Sequence, residues 1–374
     1  MGIKKQDILN ALDTITPPGE GKSYLENNAI KNVVIFDREV IIDVVISNPS
    51  LQAKKKAEVE IMKVIHDKVN EKIDVKVNVI VEVTKTPRIV PDKAIPGIKN
   101  IIAVASGKGG VGKSTVTANL AVSLAKMGFS VGVLDADVYG PSMPMMFDVV
   151  GARPIAVTVG ERSKMKPIEN YGVKILSLGF FTEANQAVIW RGAMASKALN
   201  QLIFDAEWGE LDFMLIDLPP GTGDIHLSIV QSVPITGAVI VSTPQPIAVA
   251  DAKRGVAMFK QENINVPVLG IIENMSYFTP EELPNNKYYI FGKSGARELS
   301  EDLNTAFLGE IPLVQSIREA GDVGRPVALQ TNSVLEMAFS DVTKNMLSQL
   351  VKRNETLPPT EIVRITTMSG CSTK

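Results

Sequence analysis

The chain has 374 residues, 45% of them hydrophobic, and its 39 Lys and Arg against 41 Asp and Glu leave a net charge of −2. That length suits two domains or one large one with a sizeable core, and the charge gives no bulk electrostatic case for nucleic acid or an anionic membrane as partner. A single cysteine, Cys371, excludes an intrachain disulfide, and no run of eighteen apolar residues offers a transmembrane helix.

The opening stretch "MGIKKQDILNALDTI" is charged and broken, without the apolar centre of a signal peptide, so a cytoplasmic protein is expected. Residues 1–84 read as a small α+β unit. "VVIFD" and "EVIIDVVIS" predict a hairpin around Asp37 and Arg38. A helix follows, with Ala57, Ile61, Ile65 and Val69 recurring every fourth position on one face. "VKVNVIVEV" then alternates strictly, so Val75, Val77, Val79, Val81 and Val83 share one side of a half-buried strand. Residues 85–99, with three prolines and four cationic residues, predict a semi-extended linker.

From residue 100 to 352 short apolar segments alternate with amphipathic runs. "IIAVA", "VGVLDAD", "VKILSLG", "FMLIDLP", "GAVIVST", "VLGIIEN" and "AFLGEI" are the strands. "STVTANLAVSLAKMG", "IAVADAKRGVAMFKQEN" and "SVLEMAFSDVTKNMLSQLVKR" are among the helices. This alternation predicts an α/β fold, a mostly parallel sheet with helices on both faces. Residues 353–374 are expected to form a flexible tail.

Directly behind the first of these strands stands "SGKGGVGKST". Gly107, Gly112, Lys113 and Ser114 fit G-x-x-x-x-G-K-[ST]. A polyphosphate must come close to backbone N–H groups, and side chains there would block it. The helix beginning near Lys113 adds the positive end of its dipole. Gly107, Lys108, Gly109, Gly110, Val111, Gly112, Lys113, Ser114 and Thr115 are therefore the expected nucleotide-binding residues. Lys113 would reach the β and γ phosphates, and the Ser114 hydroxyl would ligate Mg²⁺. Lys108, inside the loop, reads equally as a solvated charge or as a cation aimed at phosphate.

Ligands of open α/β sheets gather at the carboxyl ends of strands. Asp135 and Asp137 end the second strand of this region and Asp217 ends a later one. Asp217 fits the acidic residue that holds Mg²⁺ directly or through water, Asp137 can orient an attacking water, and Asp135 can assist the metal. The competing reading of each is a helix cap.

"GKGGVGKST", with its early lysine, resembles the deviant Walker-A group of P-loop ATPases. "DADVYGPSMP", "WRGAM", "WGELDFMLIDLPPGTGDIHLSIVQ", "STPQPIAVADAKRG", "GIIENMSYF" and "IPLVQSIREAGDVGRPV" are similar to the Mrp/ApbC branch, the iron–sulfur cluster carrier ATPases. The first ~84 residues resemble the MIP18-type domain often fused ahead of it. The resemblance implies a homodimer with ATP at the interface, Lys108 reaching the partner subunit's phosphates and Asn274 contacting adenine. It also implies iron–sulfur assembly factors and apoprotein clients as partners; from the charge balance no nucleic acid and no membrane is expected. "NNKYY" lacks the aspartate of the guanine-reading N-K-x-D motif, which favours ATP.

Carriers of this branch place Cys-x-x-Cys shortly after the "NMS(Y/W)F" motif, and two pairs bridge a [4Fe–4S] cluster between subunits. Here no cysteine follows Phe278 until Cys371, which is either an incidental tail thiol or a ligand to a cluster in transit. His66 and His226 have no His or Cys at metal-ligand spacing and are expected to ligate nothing. Met143, Met145 and Met146 are expected in packing, and Trp190 and Arg191 in packing or a dimer contact. The expected protein is a Mg²⁺-dependent ATPase that drives iron–sulfur cluster assembly or transfer. The alternatives are an ATP-gated scaffold that holds no cluster, and a MinD/ParA-like positioning ATPase.

Overall fold

The computed structural model describes residues 5–18, 22–36, 39–46, 51–71, 73–81, 95–181, 192–280, 282–283, 286–331 and 333–361. The chain divides into two compact units, Met1–Ile89 and Val90–Lys374.

In the first unit, α1 (Lys5–Leu12) precedes the strands β1 (Ile30–Phe36) and β2 (Glu39–Ile46), then α2 (Leu51–Lys68) and β3 (Asp74–Val81). β1 and β2 pair antiparallel, as the hairpin reading predicts, while β3 lies parallel to β2 after the α2 crossover. Val40, Ile42, Val44 and Ile46 alternate along β2 and are all buried. Ala57, Ile61 and Ile65 of α2 pack in the same core with Val75, and Val69, Val77 and Val79 lie partly buried against it. Asp37, Arg38 and Val83 lie outside the described residues. The helix α1 is absent from the sequence reading; it forms because Ile8, Ala11 and Leu12, spaced three and four apart, are buried on one face.

The second unit runs β4 (Ile98–Ala105), α3 (Lys113–Lys126), β5 (Val131–Asp135), α4 (Met143–Met146), β6 (Ile155–Val159), β7 (Arg162–Lys166), β8 (Ile168–Asn170), β9 (Val173–Ser177) and α5 (Gly192–Phe204). It continues with β10 (Leu211–Asp217), α6 (Asp224–Ser232), β11 (Gly237–Ser242), α7 (Pro246–Phe259), β12 (Val268–Glu273), α8 (Gly295–Asp302), β13 (Phe307–Glu310), α9 (Gln315–Asp322) and α10 (Val334–Thr356). An eight-stranded sheet has the order β13-β12-β11-β4-β10-β5-β9-β8, parallel throughout except where the edge strand β8 runs against β9. All seven expected strands are present. A separate antiparallel hairpin, β6 with β7, and the edge strand β8 were not anticipated.

Side chains of β4 alternate between two cores. Ile101, Ala103 and Ala105 face one that includes residues of α5, α6, α7 and α8. Ile102 and Val104 face the other, with α3 and α10. Burial on both faces explains why these strands read as continuous apolar runs. α10 reaches Thr356, and Arg353 donates to Pro358 O at 2.7 Å and Thr360 Oγ1 at 2.8 Å, so chain beyond residue 353 is held through Thr360. No helix among the described residues is long and apolar enough to cross a membrane.

Candidate nucleotide site

The central strand β4 is flanked by β10 and β11, and β10 also pairs with β5. Their carboxyl ends therefore present three loops side by side: Ser106–Gly112 before α3, Ala136–Ser142 after β5, and Leu218–Gly223 after β10. The register places Asp217 opposite both Val104 and Asp135, so two buried carboxylates share one level of the sheet.

Three glycines of the first loop, Gly107, Gly110 and Gly112, are required by shape. A Cβ at Gly107 would overlap the backbone of Asp251 in α7 and lie 2.6 Å from Ala252 N. Gly110 and Gly112 have φ of 81° and 78°, and a Cβ at Gly112 would overlap the Asn274 amide. Over Gly110 a Cβ would meet nothing within 4 Å, so the loop is open on its outer side. Gly112 is the N-cap of α3 without a side-chain cap, which leaves the helix's first N–H groups for a ligand. A bare backbone cradle at a helix N-terminus fits a polyphosphate.

Lys113 is 6% exposed, and its Nζ lies 2.8 Å from Asp217 Oδ2 and 3.9 Å from Asp137 Oδ2. Ser114 Oγ donates to Asp217 Oδ2 at 2.6 Å and Thr117 Oγ1 donates to Asp217 Oδ1 at 2.7 Å. Asp217 is fully buried, and three donors from about one turn of α3 converge on it. Ser114, Thr117 and Asp217 are hard oxygen donors of the kind that bind Mg²⁺, which takes few protein ligands and keeps water and phosphate oxygens for the rest. Among the described residues there is no cluster of three or more His, Cys, Asp or Glu suited to a metal.

The structure brings Asp135, Asp137 and Asp217 around one ammonium. Asp135 accepts from Met143 N at 3.1 Å, from Ser177 Oγ at 2.9 Å and from Asp137 N at 3.2 Å. It therefore ties down the loop that carries Asp137, and both of its oxygens already accept from protein donors. Burial, reinforced by the charge of Asp217, pushes the Asp135 carboxyl up to about 7, against the pull of Met143 N–H, the Ser177 hydroxyl and Lys113. Burial also raises Asp137, and Lys113 offsets part of that rise.

Lys108 is exposed and makes no ion pair among the described residues; its carbonyl accepts from Ser106 Oγ at 3.0 Å. Asn274, expected at the adenine, sends Nδ2 to Val111 O at 2.8 Å and so braces the phosphate loop from behind. Met143 is buried in the core, Met146 packs against it and Met145 is exposed. His66 Nε2 pairs with Ile73 O at 2.9 Å. Trp190, Arg191 and Cys371 lie outside the described residues.

Sequence reasoning missed Thr117 and Ser177. Thr117 stands four residues after Lys113, one helical turn on, so its side chain faces the same way; that spacing was the available signal. Ser177 gives no signal, because only the β5–β9 pairing carries it to Asp135.

Sheet order, bare glycine loop, helix-borne Lys-Ser and strand-end aspartate together define a P-loop nucleoside triphosphatase. Residues 97–347 match the ParA-group family described as NUBPL iron-transfer P-loop NTPase, and residues 5–79 match the iron–sulfur cluster assembly protein family. The chain belongs to the iron–sulfur cluster carrier family of P-loop NTPases. It is 40% identical over 348 residues to the iron–sulfur cluster carrier protein of Synechocystis sp., covering 92% of this chain and 97% of that one. The iron–sulfur cluster carrier protein of Aquifex aeolicus is 49% identical over 263 residues, 70% of either chain. A solved nucleotide-binding protein from Archaeoglobus fulgidus, in complex with ADP, is 38% identical with a TM-score of 0.56, covering 65% of this chain and 95% of its own.

Proposed function

We propose that this chain is a Mg²⁺-dependent ATPase whose turnover drives assembly or transfer of iron–sulfur clusters to apoproteins. The observation that carries the reading is the Lys113–Asp217 contact of 2.8 Å beneath an open glycine loop. Lys113 is a cation held in reserve on a carboxylate, and a bound triphosphate offers it a second anion at the mouth of the loop. Ser114 and Asp217 would hold the Mg²⁺, and Lys113, Ser114, Thr115 and the N–H groups of Gly109 to Gly112 would hold the phosphates. Bound there, Mg²⁺ would neutralise phosphate charge.

The reaction transfers the γ-phosphoryl group to water: the water oxygen bonds to phosphorus as the bond to the β-phosphate oxygen breaks. Asp137 accepts a hydrogen bond from the attacking water and sets its direction. Lys113 and the loop N–H groups stabilise the charge that grows on the transferring oxygens. Exposed Lys108 reaches the phosphates of a second copy, so the active form is a homodimer. Assembly factors and apoprotein clients are its partners, and the cytoplasm its compartment. A second reading, an ATP-gated scaffold that never holds the cluster, is favoured by the presence of one cysteine in the whole chain.

The test is Lys113→Gln, which keeps a hydrogen-bond donor for Asp217 and removes the charge. Turnover of ATP should fall about 100-fold or more while thermal unfolding stays cooperative. Undiminished hydrolysis by a folded variant overturns the assignment.

A further inference from the structure

His226 is used by none of the chemistry above, yet it is 1% exposed and neither ring nitrogen has a hydrogen-bond partner among the described residues. It is the one described side chain with two buried polar atoms left unmet. The carbonyls of Pro219 and Gly223 already act on the ring as weak hydrogen-bond acceptors that favour its charged form, without meeting full N–H···O geometry, and the charge of Lys113 opposes it. Burial dominates and pushes the imidazole down to about 4. At neutral pH the ring thus carries one N–H donor and one bare acceptor.

Those two carbonyls bracket the Leu218–Asp224 loop, which joins Asp217 to α6. The near half of this loop is fastened to the phosphate-loop side: Leu218 N donates to Val104 O at 3.0 Å and Gly221 N to Ser106 O at 2.9 Å. The far half faces solvent. Thr222, Gly223 and Asp224 are exposed, and Gly223 caps α6 with no side-chain bond. Buried polar atoms without partners are costly, and each one calls for a physical account.

We propose that His226 positions the Leu218–Asp224 loop: as a triphosphate draws Lys113 off Asp217, the loop closes and the His226 N–H donates to the carbonyl of Pro219 or Gly223. The inference rests on the ATPase reading and adds a positioning residue to it. His226 acts through the loop and touches no reacting atom. Its effect belongs to the step after binding, so it moves kcat more than KM.

The chain has only two histidines, so labelling histidine with ¹⁵N yields two rings. His66, already bonded to Ile73 O, serves as the internal reference. Calorimetry first establishes binding of Mg²⁺ with the non-hydrolysable analogue AMPPNP to the full-length wild type; absence of binding overturns the ATPase reading and this inference with it. With binding established, the His226 ring signals should shift to those of a hydrogen-bonded N–H, the His66 signals should stay, and amides of 218–224 should gain protection from exchange. Binding that leaves the His226 ring and the loop unchanged overturns this inference alone. His226→Leu should cut kcat about tenfold with little change in KM, and His226→Gln, which retains a donor and an acceptor, should recover most of it. Wild-type turnover in folded His226→Leu, or a His226→Gln variant that folds and is equally defective, also overturns it. Should His226→Leu fail to fold, the wild-type ring spectrum and the His226→Gln variant decide.

Discussion

Lys113 is one ammonium among three acidic side chains, Asp135, Asp137 and Asp217, and burial makes each carboxylate left unpaired expensive. On the proposed reading a Mg²⁺ would offset that imbalance. Asn274 does a different kind of work, holding the Val111 carbonyl from behind the loop. Removing it leaves a buried acceptor unmet, so Asn274→Ala should cost about 1–3 kcal/mol in a urea titration. If Asn274 acts on the loop alone, affinity for MgADP and for magnesium tripolyphosphate should weaken together; loss confined to MgADP would assign Asn274 to the adenine. At this scale the sequence displayed the loop residues and the three aspartates through spacing and strand-end position. It could not show that Asp135 is satisfied by Ser177, since that contact depends on which strands become neighbours.

The phosphate loop owes its form to the elements around it. Gly107 is a packing position, where the backbone of α7 comes so close that no side chain fits. Gly107→Ala must push the loop from α7 and should cost about 1–3 kcal/mol with a matching loss of MgADP binding. Gly109→Ala is the control: its Cβ would stand 3.8 Å from Pro220 Cγ, an ordinary contact, and stability should change by about 0.5 kcal/mol or less. Equal stability of the two variants by chemical denaturation would refute the packing argument. The parallel strands were legible because burial on both faces makes them apolar throughout. The β6–β7 hairpin was not, because both strands are largely exposed and β7 is polar but for Met165. α1 was hidden by its brevity: eight residues carry too few apolar positions to declare a period.

The whole molecule joins a nucleotide machine to a family of iron–sulfur carriers while carrying a single thiol per chain. A [4Fe–4S] cluster held by protein wants about four thiolates, and a homodimer of this chain supplies two, both Cys371. Chain purified without oxygen should therefore contain far less than one cluster per dimer, and Cys371→Ser should lower any iron and sulfide it takes up on reconstitution. A full cluster per dimer in both proteins would show that ligands other than Cys371 hold it. The absence of the cysteine pair was legible from the letters alone, whereas the way the cluster is handled depends on partners that one chain does not contain. Beneath all of this lies the claim that the backbone of residues 107–114 cradles a triphosphate, and titration calorimetry of the full-length protein with Mg²⁺ and AMPPNP tests it most directly. The account predicts saturable heat at one site per chain with a dissociation constant of roughly 1 μM to 1 mM, lost in Lys113→Gln. Folded wild-type protein that gives no heat across that range would contradict it.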